Sequence, residues 1–535
     1  MGNKKLQVWL PLLLSIMMVI GMMIGYQLRD KTNNGDNAAF LSNAKKTSVQ
    51  EILQLIKERY VDAGKADSIN QIVIDDLLAH LDPHSAYIPS KYLKDANEDL
   101  QGNFQGIGIE FQVFNDTVNV VNVIKDGPGE KAGLQIGDML VKANDTIALT
   151  GKKATNEEIR NSLRGPAGSS VKITIVRDGK PQNITVTRGN IPVPTLDAAY
   201  IIAPETGYIK INKFGDRTYE EFMQSLDKLQ QQGMKKLILD LRGNGGGLLN
   251  EATAIADEFL DGDKLIVYTE GAQSPRHDYN CRKDGLFEKG KLAVLIDETS
   301  ASASEILSGA LQDWDRATII GRRSFGKGLV QQQFQLSDGS AVRLTVARYY
   351  TPLGRNIQKP YTNKSKSDYD EELIDRLHNG ALLKADTITK KGKAFKTPGG
   401  HIVYGGGGIT PDIFVPLALD TSKASLAYIK LYYKNTLNNF VYHYYVTNRP
   451  VFQKIATAAQ LAQAFNPGEK EWQLLKSIAM QRDGVDISSV SATEKNNILA
   501  RMKALMGRQI ARSEGFYEVY NQTDSTVAKA LDVMK

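Results

Sequence analysis

Residues 293–331, which read AVLIDETSASASEILSGALQDWDRATIIGRRSFGKGLVQ, decide how the rest of the sequence is interpreted. The stretch opens within a short apolar run, Lys291–Asp297, and then passes through a serine-rich turn. Apolar residues at helical spacing follow, namely Ile306, Leu307, Ala310, Leu311 and Trp314. The pattern predicts a strand, a turn and a helix whose N-terminus carries Ser300, Ser302 and Ser304. Unpaired N–H groups and the helix dipole at such a terminus favour developing negative charge.

A lysine between two glycines is the second feature of this stretch. A predicted strand, Ala317–Ile320, leads into the basic turn Gly321–Gly328, which contains Lys327. If the fold buries this lysine in part, burial lowers its pKa and makes it a candidate general base. Serine with lysine is a known substitute for the Ser-His-Asp arrangement. Judged from the residues alone, an ordinary surface lysine in a turn is the stronger interpretation.

The spacing of these residues resembles that of a known family. TSASASEILSGAL at 299–311, followed by FGKGLVQ at 325–331, is similar to the active-site signature of the C-terminal processing peptidases, also called tail-specific proteases. The resemblance implies that Ser302 is the nucleophile, Lys327 the base and Gln331 the third member of the catalytic group. It also implies amide hydrolysis through an acyl-enzyme, without a metal or a cofactor.

A competing interpretation pairs the same lysine with a different serine. Ser324 and Lys327 match S-x-x-K, the nucleophile motif of penicillin-binding proteins and serine β-lactamases. That motif begins a helix, whereas the glycines around it here indicate a turn, and no K-T-G partner occurs in the sequence. We therefore expect Ser302 to be the nucleophile, and Ser300 and Ser304 to be capping residues at the start of the helix.

Composition excludes several classes of protein. The chain has 535 residues, which predicts three or four domains, and a single cysteine, Cys281, which rules out an intramolecular disulfide framework. The net charge is +6 and the lysines are scattered, so no nucleic-acid partner is predicted. The six histidines show no metal-ligand spacing, so no metal site is predicted.

An apolar stretch near the N-terminus has the length of a membrane span. Val8–Leu28 carries no charge and matches the ~20 residues that cross a bilayer. No good signal-peptidase site follows it, so the sequence predicts an uncleaved anchor over residues 1–30 and a linker over 31–47. The expected location is the bacterial inner (cytoplasmic) membrane, in a single pass, with the catalytic part exported to the periplasm.

A helical region over residues 48–101 precedes a β-rich region over 102–188. In the latter, GIGIEF and DGPGEKAGLQIGDMLVKAND resemble a PDZ domain. The resemblance implies that backbone N–H groups bind a peptide carboxylate while an edge strand accepts the tail. The carboxylate loop is assigned to Gly106, Ile107, Gly108 and Ile109.

One helix of this region is expected to form the wall of the peptide groove. Ile159 and Leu163, four residues apart, are predicted to line that wall. Arg164 follows them directly. It is expected either to cap the C-terminal end of the helix or to contact the active site.

Residues 189–418 are assigned to the catalytic core, with a polar insertion over about 359–404. A glycine run follows a predicted strand, but it lacks the spacing and the lysine of a phosphate loop. The family resemblance implies instead that Gly246 or Gly247 supplies a backbone N–H to an oxyanion hole, together with the N–H of Ala303.

The sequence as a whole predicts an α/β multidomain protein. Its catalytic core resembles the ClpP and crotonase class, with an inserted β-rich PDZ domain and helical N- and C-terminal regions. The C-terminal region, residues 419–535, is expected to serve packing or dimerisation, and a homodimer is one expected partner. The predicted function is a membrane-anchored serine endopeptidase for protein or peptide substrates with free, apolar C-termini. The alternatives are a peptide-binding scaffold on an inactive protease fold and a crotonase-like acyl-CoA enzyme.

Overall fold

The computed structural model describes residues 48–61, 66–114, 116–151, 155–362, 366–384, 392–417 and 424–535. These residues form two compact units, one ending at His80 and the other beginning at Leu81. The predicted anchor, Val8–Leu28, and the linker after it lie outside the described residues. Within the described ranges, no helix combines the length and the apolar character that crossing a bilayer requires.

The described residues of the first unit form the helices Ser48–Arg59 and Ala66–Ala79. Ile52 and Leu55 lie on the apolar face of the first helix, and both side chains are more than half exposed. Short amphipathic helices gain most of their stability from packing of the apolar face. In the first helix no described side chain is buried, so packing contributes little to its stability within the described residues.

The second unit begins with the short strand Ala86–Ile88 and the helix Ser90–Gln101, and a β-rich module follows. The paired strands Asn103–Gly106 and Gly189–Pro192 form the first and last strands of this module. The strands of its main sheet follow the order Ile109–Phe114, Thr117–Val123, Met139–Ala143, Ser170–Arg177 and Lys180–Thr187, with Ile147–Ala148 paired to the third. Its helices are Pro128–Lys131 and Asn156–Leu163. Because Ile109–Phe114 is the edge strand of this sheet, it can accept a further strand.

A central sheet follows, and its inner strands are buried on both faces. The order of the sheet's strands in space is Leu196–Ala203, Thr206–Ile211, Lys236–Asp240, Lys291–Ile296, Thr318–Gly321 and Ile413–Phe414. The first pair is antiparallel and the other four pairs are parallel. The helices Thr218–Gln231, Leu249–Asp257 and Ala303–Asp313 pack on one face, and Ser525–Val533 packs on the other. Burial on both faces explains why the inner strands read as continuous apolar runs in the sequence.

A second sheet lies next to the central one and carries the predicted glutamine. Its strands are Ala86–Ile88, Ala341–Tyr350, Leu265–Gly271 and Ser274–Asn280, with Leu329–Gln335 also paired to Ala341–Tyr350. The strand Thr318–Gly321 belongs to the central sheet. The next strand in the sequence, Leu329–Gln335, belongs to the second sheet. Lys327 therefore lies in the loop that connects the two sheets.

The polar insertion and the C-terminal region both contain regular structure. The insertion includes the helix Lys366–His378 and the paired strands Ala394–Lys396 and Ile402–Tyr404. The C-terminal region is helical, as predicted, over Leu426–Tyr433, Thr436–Thr447, Arg449–Phe452, Ala458–Ala464, Glu469–Asp483, Ala492–Tyr520 and Ser525–Val533. Its aromatic residues Phe440 and Tyr445 are buried in a core of their own. Dimerisation through this region stays a prediction.

Candidate active site

Ser302 occupies a strained turn between a central strand and a helix. The strand Lys291–Ile296 precedes it, and the helix Ala303–Asp313 begins directly after it. Its backbone angles are φ +55° and ψ −114°, a conformation that costs about 1–3 kcal/mol for a residue other than glycine. The side chain is half-buried, and the hydroxyl does not cap the helix. The turn thus places the Ser302 hydroxyl at a helix N-terminus.

The two serines on either side of Ser302 hold this turn in place. The buried Ser300 hydroxyl donates to the carbonyl of Leu241 at 2.9 Å. The buried Ser304 hydroxyl donates to the carbonyl of Asn244 at 3.0 Å. Neither bond is the helix cap predicted from the sequence, because both acceptors belong to the loop after the neighbouring strand. The two hydroxyls fasten the serine turn to the glycine loop instead.

Ser324, the nucleophile of the competing S-x-x-K interpretation, is fully buried. Its hydroxyl donates to the Glu305 carboxylate at 2.5 Å and accepts the N–H of Ile409 at 2.6 Å. The segment around it is a loop and not the start of a helix. Because both the donor and an acceptor site of this hydroxyl are occupied by buried partners, Ser324 is a structural serine.

Lys327 and Gln331 are in direct contact. The half-buried Lys327 ammonium donates to Gln331 Oε1 at 3.0 Å, and the Gln331 amide donates to the carbonyl of His84. Burial, followed by the nearby charge of Arg343, lowers the pKa of Lys327 below its usual value. A larger fraction of this lysine is therefore neutral near pH 8 than of an exposed lysine.

One buried carboxylate connects the serine turn to the lysine loop. Glu305 accepts the N–H of Ser302 at 2.9 Å and the N–H groups of Gly326 and Lys327 at 2.8 Å each. Burial raises the pKa of Glu305 to about 7, and its hydrogen bonds oppose that rise. Sequence reasoning missed this residue. The S-x-x-E spacing from Ser302, which is that of a capping box, was the available signal.

Tyr349 makes a second connection between the same two segments. Its buried hydroxyl lies 3.2 Å from the carbonyl oxygen of Ser302 and also contacts the carbonyl of Lys327. Its pKa is raised, mainly by burial, so the hydroxyl keeps its proton. Glu305 binds the amides and Tyr349 binds the carbonyls, and together they hold the backbones of both segments. No local sequence pattern marks Tyr349, because it lies on a distant strand.

His84 is a further residue that sequence reasoning did not assign to the site. Its ring Nε2 lies 3.0 Å from the Tyr369 hydroxyl. Burial, and then the charge of Lys327, lower the pKa of His84 to about 4, so the ring is neutral at pH 7. The carboxylate of Asp82 accepts the N–H of His84 at 2.8 Å and the Ser85 hydroxyl at 2.6 Å. This turn presents the His84 carbonyl to Gln331.

The polar insertion packs against the lysine loop. The buried Lys359 ammonium donates to Glu372 at 3.0 Å and lies 4.1 Å from the ring centroid of Phe325. The buried Arg376 guanidinium donates to the carbonyl of Ser324 at 2.9 Å. The polar insertion therefore supports the loop that carries Lys327.

The glycine loop lies against the serine turn, and the two predicted glycines differ in their hydrogen bonds. A Cβ on Gly246, where φ is +98°, would lie 2.7 Å from the Ser302 Cβ. The Gly246 N–H donates to Asn244 Oδ1 at 2.8 Å, so it is already used. The Gly246 carbonyl accepts the N–H of Phe214 at 3.0 Å. Since C=O and N–H point in opposite directions across a peptide bond, the N–H of Gly247 points away from Phe214.

Ala303 supplies the second predicted backbone donor. It is the first residue of its helix, so its N–H has no acceptor within that helix. This nitrogen lies 2.9 Å from the position that a Cβ on Gly246 would occupy. The N–H of Ala303 and the glycine loop are therefore adjacent, beside Ser302.

A groove of about 610 Å³ runs along the edge strand of the β-rich module. All four residues assigned to the carboxylate loop, Gly106, Ile107, Gly108 and Ile109, line it. The carbonyl of Ile107 accepts the N–H of Gly129 at 2.7 Å, and the carbonyl of Gly108 accepts the N–H of Ile124 at 3.0 Å. The N–H groups of Gly108 and Ile109 point away from those partners. This geometry suits binding of a carboxylate.

Of the two residues predicted to form the groove wall, one lines the groove and the other does not. Leu163 lines the groove, but Ile159 is buried in the core of the module, and Arg160 lines the groove. Arg164 is the C-cap residue of this helix and also lines the groove. Its guanidinium donates to Asp95 at 2.9 Å and to Glu98 at 3.1 Å. Its ion-pair partners thus lie on the helix before the module.

Three segments of the chain match known protein families. Residues 205–365 match peptidase family S41, residues 105–187 match the PDZ domain, and residues 427–511 match a family of unknown function. A carboxy-terminal-processing protease of Bartonella bacilliformis is 36% identical over 58% of this chain and 71% of its own length. A probable CtpA-like serine protease of Staphylococcus epidermidis is 33% identical over 65% of this chain and 69% of its own length.

Among solved structures, the photosystem II D1 C-terminal processing protease matches at 26% identity. The match covers 69% of this chain and 86% of that one, with a TM-score of 0.36.

In the part of the chain that the structure describes, no group of histidine, cysteine, aspartate and glutamate side chains could hold a metal ion.

Titration of Glu305 should be visible in the stability of the protein. Because the folded-state pKa is about 7 and the unfolded value is 4.5, the folded state binds more protons between these values. The free energy of unfolding should therefore fall by about 2 kcal/mol as the pH rises from 5 to 8. Urea unfolding at both pH values should show that this component is lost in Glu305→Gln. The exposed control Glu220→Gln should keep it, and equal pH dependence in all three proteins would contradict the assignment.

Proposed function

Because the chain belongs to peptidase family S41 and is a serine-type endopeptidase, we propose that it processes the C-terminal ends of proteins by a serine–lysine mechanism. The observation that carries the proposal is the contact between Lys327 and Gln331. Lys327 is itself partly buried, and this burial lowers its pKa. The bonds of Glu305 to both Ser302 and Lys327 support it further.

In this mechanism Lys327 acts as the neutral general base. Its amine takes the proton of the Ser302 hydroxyl while the serine oxygen attacks the peptide carbonyl. The negative charge that develops on the carbonyl oxygen is stabilised by the N–H groups of Gly247 and Ala303. Lys327 then passes the proton to the leaving amine, and an acyl-enzyme remains on Ser302. Water releases the acyl group by the same route in reverse, while Gln331 keeps the lysine in position.

The groove of the PDZ domain is proposed to bind the tail of the substrate. The edge strand Ile109–Phe114 can add an extended peptide, and the N–H groups of Gly108 and Ile109 can bind its terminal carboxylate. Ile107 and Leu163 give the groove an apolar lining near that loop. Free, apolar C-termini are therefore the proposed recognition signal, and the Bartonella relative is likewise named for carboxy-terminal processing.

The core sheet is proposed to belong to the ClpP and crotonase class. Its parallel strands, with helices on both faces, support this assignment. Superposing an experimental structure of the core on members of that class would test it, and a different strand order would refute it. Neither alternative function gains support, since no observation favours an inactive scaffold or an acyl-CoA site.

Replacing the proposed base should separate charge from base strength. Arginine keeps its proton, so Lys327→Arg should be as inactive as Lys327→Ala, with a loss of ~10²–10⁴-fold in kcat. In the wild type, kcat/KM should fall as the pH decreases, because Lys327 gains a proton below its lowered pKa. A peptide hydrolysis assay across pH measures both effects. Substantial activity in the arginine variant would mean that the site needs only a positive charge.

We also propose that Val8–Leu28 is an uncleaved anchor in the inner membrane, with the catalytic part in the periplasm. The proposal rests on the length and apolar character of this stretch and on the absence of a good cleavage site. Protein isolated from membranes should still begin at or near Met1 and resist extraction with high salt, because apolar burial is not screened by ions. A soluble protein whose N-terminus lies near Arg29 would instead indicate a signal peptide.

A further inference from the structure

The helical C-terminal region helps to enclose the PDZ groove. Besides residues of the PDZ domain, the groove is lined by Lys434, Asn435 and Asn439. These residues lie at the end of one C-terminal helix and in the first turn of the next. They belong to the segment that matches a family of unknown function. The groove is therefore built jointly by two regions that are about 270 residues apart in the sequence.

Contacts further along the same helix place this region near the outer end of the edge strand. The ring of Phe114, the last residue of that strand, lies 5.2 Å from the ring of Tyr442 and 5.3 Å from that of His443. The Tyr442 hydroxyl donates to the carbonyl of Val120 at 3.3 Å. The carboxylate loop lies before the other end of the strand, at Gly106–Ile109. The C-terminal region thus meets the part of the groove where residues upstream of the tail's terminus would lie.

The groove has a basic character that its acidic residues do not cancel. Glu110 lines it, but the Glu110 carboxylate pairs with Arg508 at 3.1 Å. Arg164 is balanced by its own pairs with Asp95 and Glu98. Arg160 and Lys434 are exposed, and within the described ranges neither forms an ion pair with an acidic side chain. The contact made by the Lys434 ammonium is with a backbone carbonyl, that of Asp483.

Asn439 adds an unused hydrogen-bond acceptor. Its Oδ1 atom is shielded from solvent and has no hydrogen-bond partner in the part of the chain that the structure describes. A buried polar atom without a partner costs about 1–3 kcal/mol, so an incoming donor would be favoured there. An extended tail carries such donors at regular intervals in its backbone N–H groups.

We propose that the C-terminal region determines which tails the groove accepts, by selecting an acidic side chain several residues before the terminal carboxylate. Lys434 and Arg160 attract the acidic group, and Asn439 accepts an N–H of the tail's backbone. The inference rests on the proposed function, because it extends the tail groove of the PDZ domain. It gives the C-terminal region a role in substrate specificity in addition to packing.

Binding of labelled peptides to the full chain carrying Ser302→Ala tests this directly, because the peptides stay uncleaved. Three peptides share one apolar, free C-terminus and carry glutamate, alanine or lysine about five residues before the end. Fluorescence anisotropy should show that the glutamate peptide binds about threefold to tenfold more tightly than the lysine peptide. The preference should shrink as salt is added, because the charges are exposed.

Two test variants and one control, each in the Ser302→Ala background, assign the effect to individual residues. Lys434→Glu should abolish or reverse the preference for glutamate, whereas Lys430→Glu, the same change outside the groove and four residues earlier, should leave it intact. Asn439→Leu should weaken the binding of all three peptides by a similar factor of about threefold to tenfold, because each peptide carries the same backbone N–H. Lys434 is exposed, so its variant should fold whatever the effect of changing Asn439.

An amidated version of the glutamate peptide distinguishes failure of tail recognition by the PDZ domain from failure of the proposed selection of an acidic side chain. If acid and amide tails bind equally, tail recognition by the PDZ domain fails, and the present inference fails with it. If the acid tail binds better but glutamate and lysine peptides bind alike, the proposed function stands and this inference is overturned. Unchanged preference in Lys434→Glu would overturn it as well.

Discussion

The buried carboxylate of Glu305 is the contact on which the rest of the site depends. Ser302 lies in a turn after a strand of the central sheet and Lys327 in the loop that leads to the second sheet, so the proposed proton transfer between them requires both backbones to be fixed. Glu305 binds the N–H groups of both residues, and the Tyr349 hydroxyl contacts both carbonyls. The cost of burying a carboxylate is visible in its pKa of about 7, and its hydrogen bonds offset part of that cost.

Distant parts of the chain support these two segments. The turn at His84 supplies an acceptor for Gln331, and the insertion binds the lysine loop through Arg376. The C-terminal region reaches the base of the glycine loop, where the guanidinium of Arg242 donates to both carboxylate oxygens of Asp524 at 2.9 and 3.0 Å. The same region contributes to the peptide groove. One helical region therefore contacts both the groove and the segment that leads into the glycine loop.

The family, the PDZ domain and the helical C-terminal region could be predicted from the sequence, because their signals are local motifs or periodicities. The pairing of Lys327 with Gln331 was implied only by the family resemblance, because a spacing of four residues does not by itself bring side chains together in extended backbone. Glu305 and Tyr349 could not be assigned to the site from the sequence, because their roles depend on hydrogen-bond partners in other elements. Ile159 was assigned to the groove although helical spacing alone cannot distinguish the face of a helix that packs on its own core from the face that lines a groove.

Covalent labelling with a fluorophosphonate, followed by mass spectrometry of the proteolytic peptides, tests the central claim most directly. Such a reagent reports which serine oxygen is activated, whatever the natural substrate. We predict a single adduct on the peptide that contains Ser302, with a labelling rate that rises with pH as Lys327 loses its proton. An adduct on Ser324, or equal slow labelling of several serines, would contradict a site built on Ser302 and Lys327.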